Sequence, residues 1–394
     1  MPATAARTVA ERLCEFEDRG PCTDAERRAA AGLHDDLRAA GHEAWVETHW
    51  VRPQWALSIA LHATLGVVAS LAALAAPLPA AIGAAVVGLS MAVEAAGRTG
   101  PLRWAFPRRA TQNVLVVPGE DAGHDPARVT LLVCAPYDAP RGGLVTRDRP
   151  RRLAARLRRR AGGHAPGPRA WVALGLAAVA ACAGLRALGV EGLWLGILQF
   201  VPTVGLLATL AAAGDVATSP LSPSAGDNAA GVGVAVALHE ELSRNPPGAL
   251  SPALLLFGAG EGGPPAVHAH LRREKLDRGR VVVLEIGPSG EGAPVYAAAH
   301  RQLRAAAERA AGALGGAGRA PLRRSTGAGA ARSRRLPAIW IGALDADGIA
   351  LRSRQPADTP DRLDPAAAER VLDFALACAD ALDAEVAARR PGGA

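Results

Sequence analysis

Aromatic residues make up only 4% of this 394-residue chain, against 49% hydrophobic residues, so any core must be built mainly from Ala, Val and Leu. Such a composition allows a large core but excludes a fold argument from aromatic landmarks. Lysine is nearly absent, with Lys275 the only one, and the bias toward Ala, Arg, Gly and Pro reads as coding pressure from a GC-rich, bacterial genome. The five cysteines (Cys14, Cys22, Cys134, Cys182, Cys378) are odd in number, scattered and without metal-ligand spacing. That argues against a disulfide framework and suits a reducing compartment. No apolar stretch of signal-peptide type lies near the start of the first 51 residues, which argues against cleavage or export.

Positive charge is concentrated. Ten arginines (Arg141, Arg147, Arg149, Arg151, Arg152, Arg156, Arg158, Arg159, Arg160, Arg169) face one acid, Asp148, giving this segment about +9 within a chain whose formal charge is +7, so the remainder is near −2. The protein is not generally basic, and a nucleic-acid partner, which needs a basic face joined to a binding motif, is not expected.

Apolar runs account for the arginines. Gln54 to Ala76 is uncharged over 23 residues, long enough to cross a hydrocarbon layer of about 30 Å. Pro77 and Pro79 break it, and Ala80 to Val93 follows, ending at Glu94. A second pair runs from Ala170 to Leu185 and from Leu193 to Ala213. The shorter members have the length of buried helices in a soluble protein. The long charge-free members, with Trp55, Trp171 and Trp194 at their edges as interfacial aromatics, favour two transmembrane hairpins. Arg52, Arg98, Arg103, Arg108 and Arg109 flank the first hairpin, the ten-arginine loop precedes the second, and the short turns carry only Arg186. The positive-inside rule then puts both termini and the bulk of the chain in the cytoplasm, on a multi-pass protein of the inner (plasma) membrane. The lipid bilayer is the first expected partner, and the arginine loop serves as topology signal and as attraction to anionic headgroups.

The remaining residues suffice for one α/β domain. Thr23-Asp24-Ala25-Glu26 has capping-box spacing and opens a helix through Leu33 and Leu37 that stops at Gly41. Strand-like runs lie at 44–51, 113–117, 129–134, 254–257, 281–286 and 337–341, with helical patterns at 229–242, 265–276, 300–314 and 365–386. This alternation predicts a mostly parallel sheet covered by helices on both faces, with chemistry at the carboxyl ends of the strands.

Five stretches stand at such ends or close by: Val133-Cys134-Ala135-Pro136-Tyr137-Asp138, Gly226-Asp227-Asn228-Ala229-Ala230-Gly231, Gly260-Glu261-Gly262-Gly263, Val283-Leu284-Glu285-Ile286-Gly287 and Arg354-Gln355-Pro356-Ala357-Asp358-Thr359. Together with the helix from Thr23 into Gly41-His42-Glu43, the strand Gln112 to Gly119 and the closing Pro356 to Asp364, their order resembles metallopeptidase family 28, the co-catalytic zinc aminopeptidases to which glutaminyl cyclases are similar. The resemblance implies a zinc-exopeptidase-like α/β fold. It divides the chain into peptidase-like segments at 1–53, 97–140 and 214–386, hairpins at 54–96 and 170–213, an arginine-rich cytoplasmic loop at 141–169 and a disordered tail at 387–394.

The family's two zinc ions need a His, a bridging Asp, a Glu, another Asp and a final His, with a neighbouring Glu as general base. The resemblance puts Pro136 at the first His, and it leaves Asp138, a residue that would orient that His, with nothing to orient. Asp227 matches the bridging Asp, followed by Asn228. Glu261 matches the general base, while the ligand Glu beside it is Gly262. Glu285 stands for the second Asp, Arg354 for the last His, and Gly327-Ala328 for an Asp-His pair before the late strand. Asp227 and Glu285 are the residual candidate ligands, so no metal cofactor is expected. Replacement ligands from His239, His268 or His270 are disfavoured, because the last two differ by two positions on one helix and His239 lies two to three turns past Asp227.

Three readings follow. One is a membrane-anchored pseudopeptidase that binds a peptide, lipid or partner protein at a cleft formed by Tyr137, Asp227, Asn228, Glu285 and Arg354. A second is a working hydrolase or glutaminyl-cyclase-like acyltransferase, with zinc at a reduced or rearranged site or with metal-free catalysis by Glu261. The third is an inert subunit of a membrane complex. The 88 residues between Asp138 and Asp227 carry the arginine loop and the second hairpin, so the cleft is expected against the membrane.

Overall fold

The computed structural model describes residues 2–117, 128–160, 167–274, 277–323 and 325–389, with the side chains of residues 2–6 left undescribed. Lys275, the Pro118-Gly119 end of the family-like strand, part of the arginine loop and most of the expected disordered tail lie outside them.

Among the described residues twelve helices surround one eight-stranded sheet. The helices are α1 (Pro2–Glu15), α2 (Asp24–Ala39), α3 (Trp55–Ala72), α4 (Pro77–Ala95), α5 (Asp148–Arg160), α6 (Pro168–Ala187), α7 (Leu193–Thr218), α8 (Ala230–Arg244), α9 (Pro265–Arg273), α10 (Arg301–Ala313), α11 (Gly327–Ser333) and α12 (Pro365–Ala387). The strands are β1 (Ala44–Val51), β2 (Arg109–Val116), β3 (Val129–Pro136), β4 (Leu250–Phe257), β5 (Val281–Ile286), β6 (Ala293–Ala298), β7 (Gly318–Arg319) and β8 (Ala338–Leu344), in spatial order β1-β2-β4-β3-β5-β8-β6-β7. The central four strands, β4, β3, β5 and β8, are parallel, whereas β1, β2 and β6 join antiparallel, so the sheet is mixed with a parallel centre. Near-continuous apolar runs such as Val281-Val282-Val283-Leu284 suit strands buried on both faces.

Each face has its own core. On one side Leu33 and Leu37 of α2, Val232 and Leu238 of α8, Leu303 of α10 and Phe374 of α12 pack with Val133 and Leu284. On the other, Val267 and Leu271 of α9 and Ala330 of α11 pack with Leu132, Leu255 and Val283. Helix α2 starts as its sequence predicts, with the Thr23 hydroxyl accepting from Glu26 N at 3.1 Å. The Glu26 carboxylate does not close the reciprocal half of a capping box. It accepts from Cys22 N and Ala259 N instead, tying the helix start to the end of β4.

Helices α3, α4, α6 and α7 are long and apolar enough to cross a membrane, and only 17 to 39% of each apolar window is buried. Within this chain they are not buried helices, since Leu71, Leu78, Ile82, Val86, Leu198 and Phe200 are all exposed. The four helices share a separate core of Ile59, Ala63, Met91, Leu176 and Leu206. Buried polar groups pin the bundle: Ser58 Oγ donates to Glu94 at 2.8 Å, and the His62 ring bridges Ser58 O and Ser90 Oγ. Trp171 and Trp194 are exposed, whereas Trp55 turns into the protein.

The segment expected as an arginine-rich loop contains α5. Its arginines make contacts within the protein: Arg159 pairs with Asp347 at 2.7 Å, Arg152 with Asp345 at 3.8 Å, and Arg151 donates to Ser353 O. Helix α5 thereby covers the 345–355 loop.

One close approach sets the site. Gly226 and Gly290 meet backbone to backbone, and a Cβ on Gly290 would overlap Gly226 Cα. Gly290→Ala should therefore cost about 1–3 kcal/mol, read as a lower unfolding midpoint in detergent, and an unchanged midpoint would show that the approach has slack.

Candidate functional site

The carboxyl ends of β3, β4 and β5 converge on a cavity of about 3100 Å³ lined by Pro136, Asp227, Asn228, Glu261, Glu285 and Arg354. Of the five predicted cleft residues, four therefore line one space, together with Glu261. Tyr137 does not. It is fully buried in the core, its hydroxyl donating to Gln112 O at 2.8 Å, because side chains alternate along an extended chain and Tyr137 leaves on the side away from the cavity.

Asp138 has work after all. Fully buried, it accepts from Gly260 N at 2.9 Å and Glu261 N at 3.3 Å, so it holds the loop that carries Glu261. The Asn228 amide donates to Asp138 O. Asp227 sits on a single wide turn, Ala225–Ala229, in which Ala229 N bonds back to Ser224 O. Asp358 clamps that turn from behind by accepting from Gly226 N and Asp227 N, while Ser353 Oγ donates to Asp227 at 2.7 Å. Glu285 is buried under the start of α11, where Ala328 N donates to it at 2.7 Å.

Arg354 is ion-paired with Glu261 at 2.5 Å and lies 5.9 Å from the Trp55 ring. Its backbone is held at φ 63, in the left-handed region that a non-glycine residue occupies only when its surroundings enforce it. Gly262, at φ 73, lies directly against Trp55, and a Cβ there would overlap the indole. The Arg169 guanidinium donates to Gly262 O. The Gly260–Gly263 loop is thus gripped by the first residue of α3 and by the start of α6.

These contacts test whether zinc fits. Pro136 offers no donor atom, Trp55 fills the space beside position 262, Arg354 occupies the Glu261 carboxylate, Ser353 binds Asp227 and α11 caps Glu285. Among the described residues, the only three His, Cys, Asp or Glu side chains with ligand atoms all within 4.8 Å of one another are Glu47, His49 and His270, outside this cavity. The cleft does not fit a zinc pair. His239 is buried beside His42 and its imidazole is pushed down to about 4, by burial first. His268 lines the cavity but is likewise pushed down to about 4 by burial and nearby arginines.

The sequence did not point to Trp55, Ser353, Arg151, Arg158 or Arg323. Arg151, Arg158 and Arg323 line the cavity, and neither Arg158 nor Arg323 makes an ion pair among the described residues. Arg323 is exposed to solvent at the cavity wall, with protein on its other sides. That enclosure, then Arg158 and Arg151, lowers its guanidinium to about 10. Ten arginines in one segment were a visible signal, but that Arg151 and Arg158 would line the same cavity as Asp227 was not.

No family model and no curated protein matches the sequence. The fold itself is that of zinc-dependent exopeptidases. Similar solved structures include a Zn-dependent exopeptidase from Parabacteroides distasonis (TM-score 0.51, 12% identity, covering 97% of each chain) and a glutaminyl cyclase from Porphyromonas gingivalis (TM-score 0.54, 12% identity, 96% of this chain and 97% of that one). A leucine aminopeptidase precursor from Bacteroides thetaiotaomicron is also similar (TM-score 0.53, 10% identity, 96% of each chain). At these identities the likeness shows the fold alone.

Burial raises four carboxyls: Glu26 to about 8, and Asp138, Glu285 and Asp358 to about 7. An acid whose folded value is raised keeps its proton in the native state after the unfolded chain has lost it. Stability then falls as pH rises from about 4 to about 7–8. Urea unfolding in micelles should give a free energy lower at pH 8 than at pH 5 by on the order of 1 kcal/mol or more, and a higher value at pH 8 would refute the burial argument.

Proposed function

We propose that this chain is a multi-pass membrane protein whose peptidase-like domain faces the cytoplasm and binds the free carboxyl end of a peptide or partner protein at the former catalytic cleft, without hydrolysing it. The observation that carries the reading is Arg354, paired at 2.5 Å with the residue that the family resemblance makes the general base. A base must be free to take a proton from water or substrate. Here its carboxylate is already occupied by a permanent cation.

The charge balance of the cavity favours an anionic ligand. Arg151, Arg158, Arg323 and Arg354 line the cavity together with Asp227, and two of them make no ion pair among the described residues. A guanidinium fork suits a carboxylate, which it can bind through two parallel hydrogen bonds. Anchoring is supported by four helices long and apolar enough to cross a bilayer, and the cytoplasmic side by the arginines flanking them.

Two measurements test the proposal. Fluorescence anisotropy with a labelled hexapeptide pool should give binding about tenfold weaker when the C-terminus is amidated, with a similar loss in Arg323→Ala. Turnover of aminoacyl nitroanilides that needs Glu261, together with metal lost in Asp227→Asn, would overturn it. For sidedness, Leu188→Cys in the exposed turn between α6 and α7 should react with an impermeant maleimide from outside intact cells, and Leu157→Cys should not; the opposite pattern would invert the topology.

A further inference from the structure

A second cluster of ligating side chains lies on the face of the sheet covered by α9, away from the cavity. Glu47 and His49 stand two apart on the edge strand β1, so both leave the same face, and His270 reaches them from α9. All three are buried, at 7%, 8% and 3% exposure, on a strand whose neighbouring Trp50 is 65% exposed. Glu47 Oε2 lies 3.1 Å from His49 Nε2 and 2.9 Å from His270 Nδ1.

We propose that Glu47, His49 and His270 form a structural zinc site, with the Asn113 carboxamide as fourth donor, that fastens α9 to the edge of the sheet. The donor set is the first argument, since two imidazoles and a carboxylate suit a borderline divalent ion. Spacing is the second. Zinc bonded at 2.0–2.1 Å in a tetrahedron separates neighbouring ligand atoms by roughly 3.3 Å, close to the distances here. The third is independent of both. Asn113 is fully buried, and among the described residues neither its Oδ1 nor its Nδ2 has a hydrogen-bond partner. It pairs in register with Glu47 across the β1–β2 ladder, so its side chain leaves the same face beside the cluster. An orphaned buried carboxamide is costly, and a metal ion at the cluster would give its oxygen a partner.

The site has the character of a closed, structural centre. None of Glu47, His49, His270 or Asn113 lines the large cavity, so no ligand there has a route to it. Its occupancy is therefore separate from the reading of the cleft.

Full-length protein in detergent, stripped with a chelator and titrated with zinc chloride, should take up one zinc per chain and melt at a higher temperature. His49→Ala and His270→Ala should each weaken zinc about 100-fold or more, whereas Asp227→Asn and Glu285→Gln should leave it unchanged. His270→Cys, which keeps a ligand, should retain binding and separates loss of a donor from loss of fold. Replacement by cobalt should give the intense visible bands of a tetrahedral centre, absent in His49→Ala. No zinc uptake and no thermal shift in wild type would overturn the proposal, as would zinc retained by the His49→Ala, His270→Ala double variant or lost on Asp227→Asn.

Discussion

A side chain at position 262 and the indole of Trp55 cannot occupy the same space. Much of the site's character follows from that exclusion. Trp55 is the first residue of α3, so the apolar helix pair begins inside the cleft. Arg169, at the start of α6, binds the carbonyl of the same Gly262. The Gly260–Gly263 loop therefore serves as the docking point for both pairs of apolar helices.

The charges rearrange around this point. Arg354 takes the Glu261 carboxylate, Ser353 takes Asp227, and backbone N–H groups of α11 and of the Gly260–Gly263 loop take Glu285 and Asp138. Each of these carboxylates has a neutral or cationic partner, which is what burying a polar or charged group demands. Positive charge remains in excess because α5 brings Arg151 and Arg158 to a cavity where Arg323 and Arg354 already stand.

Most of the framework could be read along the chain. Strands β1 and β5 match the expected spans because β-branched and aromatic runs are local signals, and the start of α2 follows from Thr23 alone. Helix α1 and strands β6 and β7 were not anticipated. Pro2–Glu15 is rich in Ala and Arg without a long apolar stripe, and β7 is only two residues long, so its pairing with β6 decides its form. At the cleft, Asp227, Asn228, Glu261, Glu285 and Arg354 were found by order in the sequence. Tyr137 was misplaced because its neighbours are catalytic-looking while its own side chain faces the core. The role of Trp55, and the meeting of Glu47 and His49 with His270 more than two hundred residues away, depend on tertiary approach that no local pattern records.

Strands β1 and β2 pair along their whole length although α3 and α4 lie between them in sequence, and β3 lies beside β4 although α6 and α7 intervene. Each excursion must return to the sheet it left. Any passage of these helices through a bilayer is then constrained in parity: each insertion can contain only an even number of crossings. Deleting one helix of a pair would leave the next strand on the wrong side of the lipid, whereas deleting both keeps the strands within reach of each other.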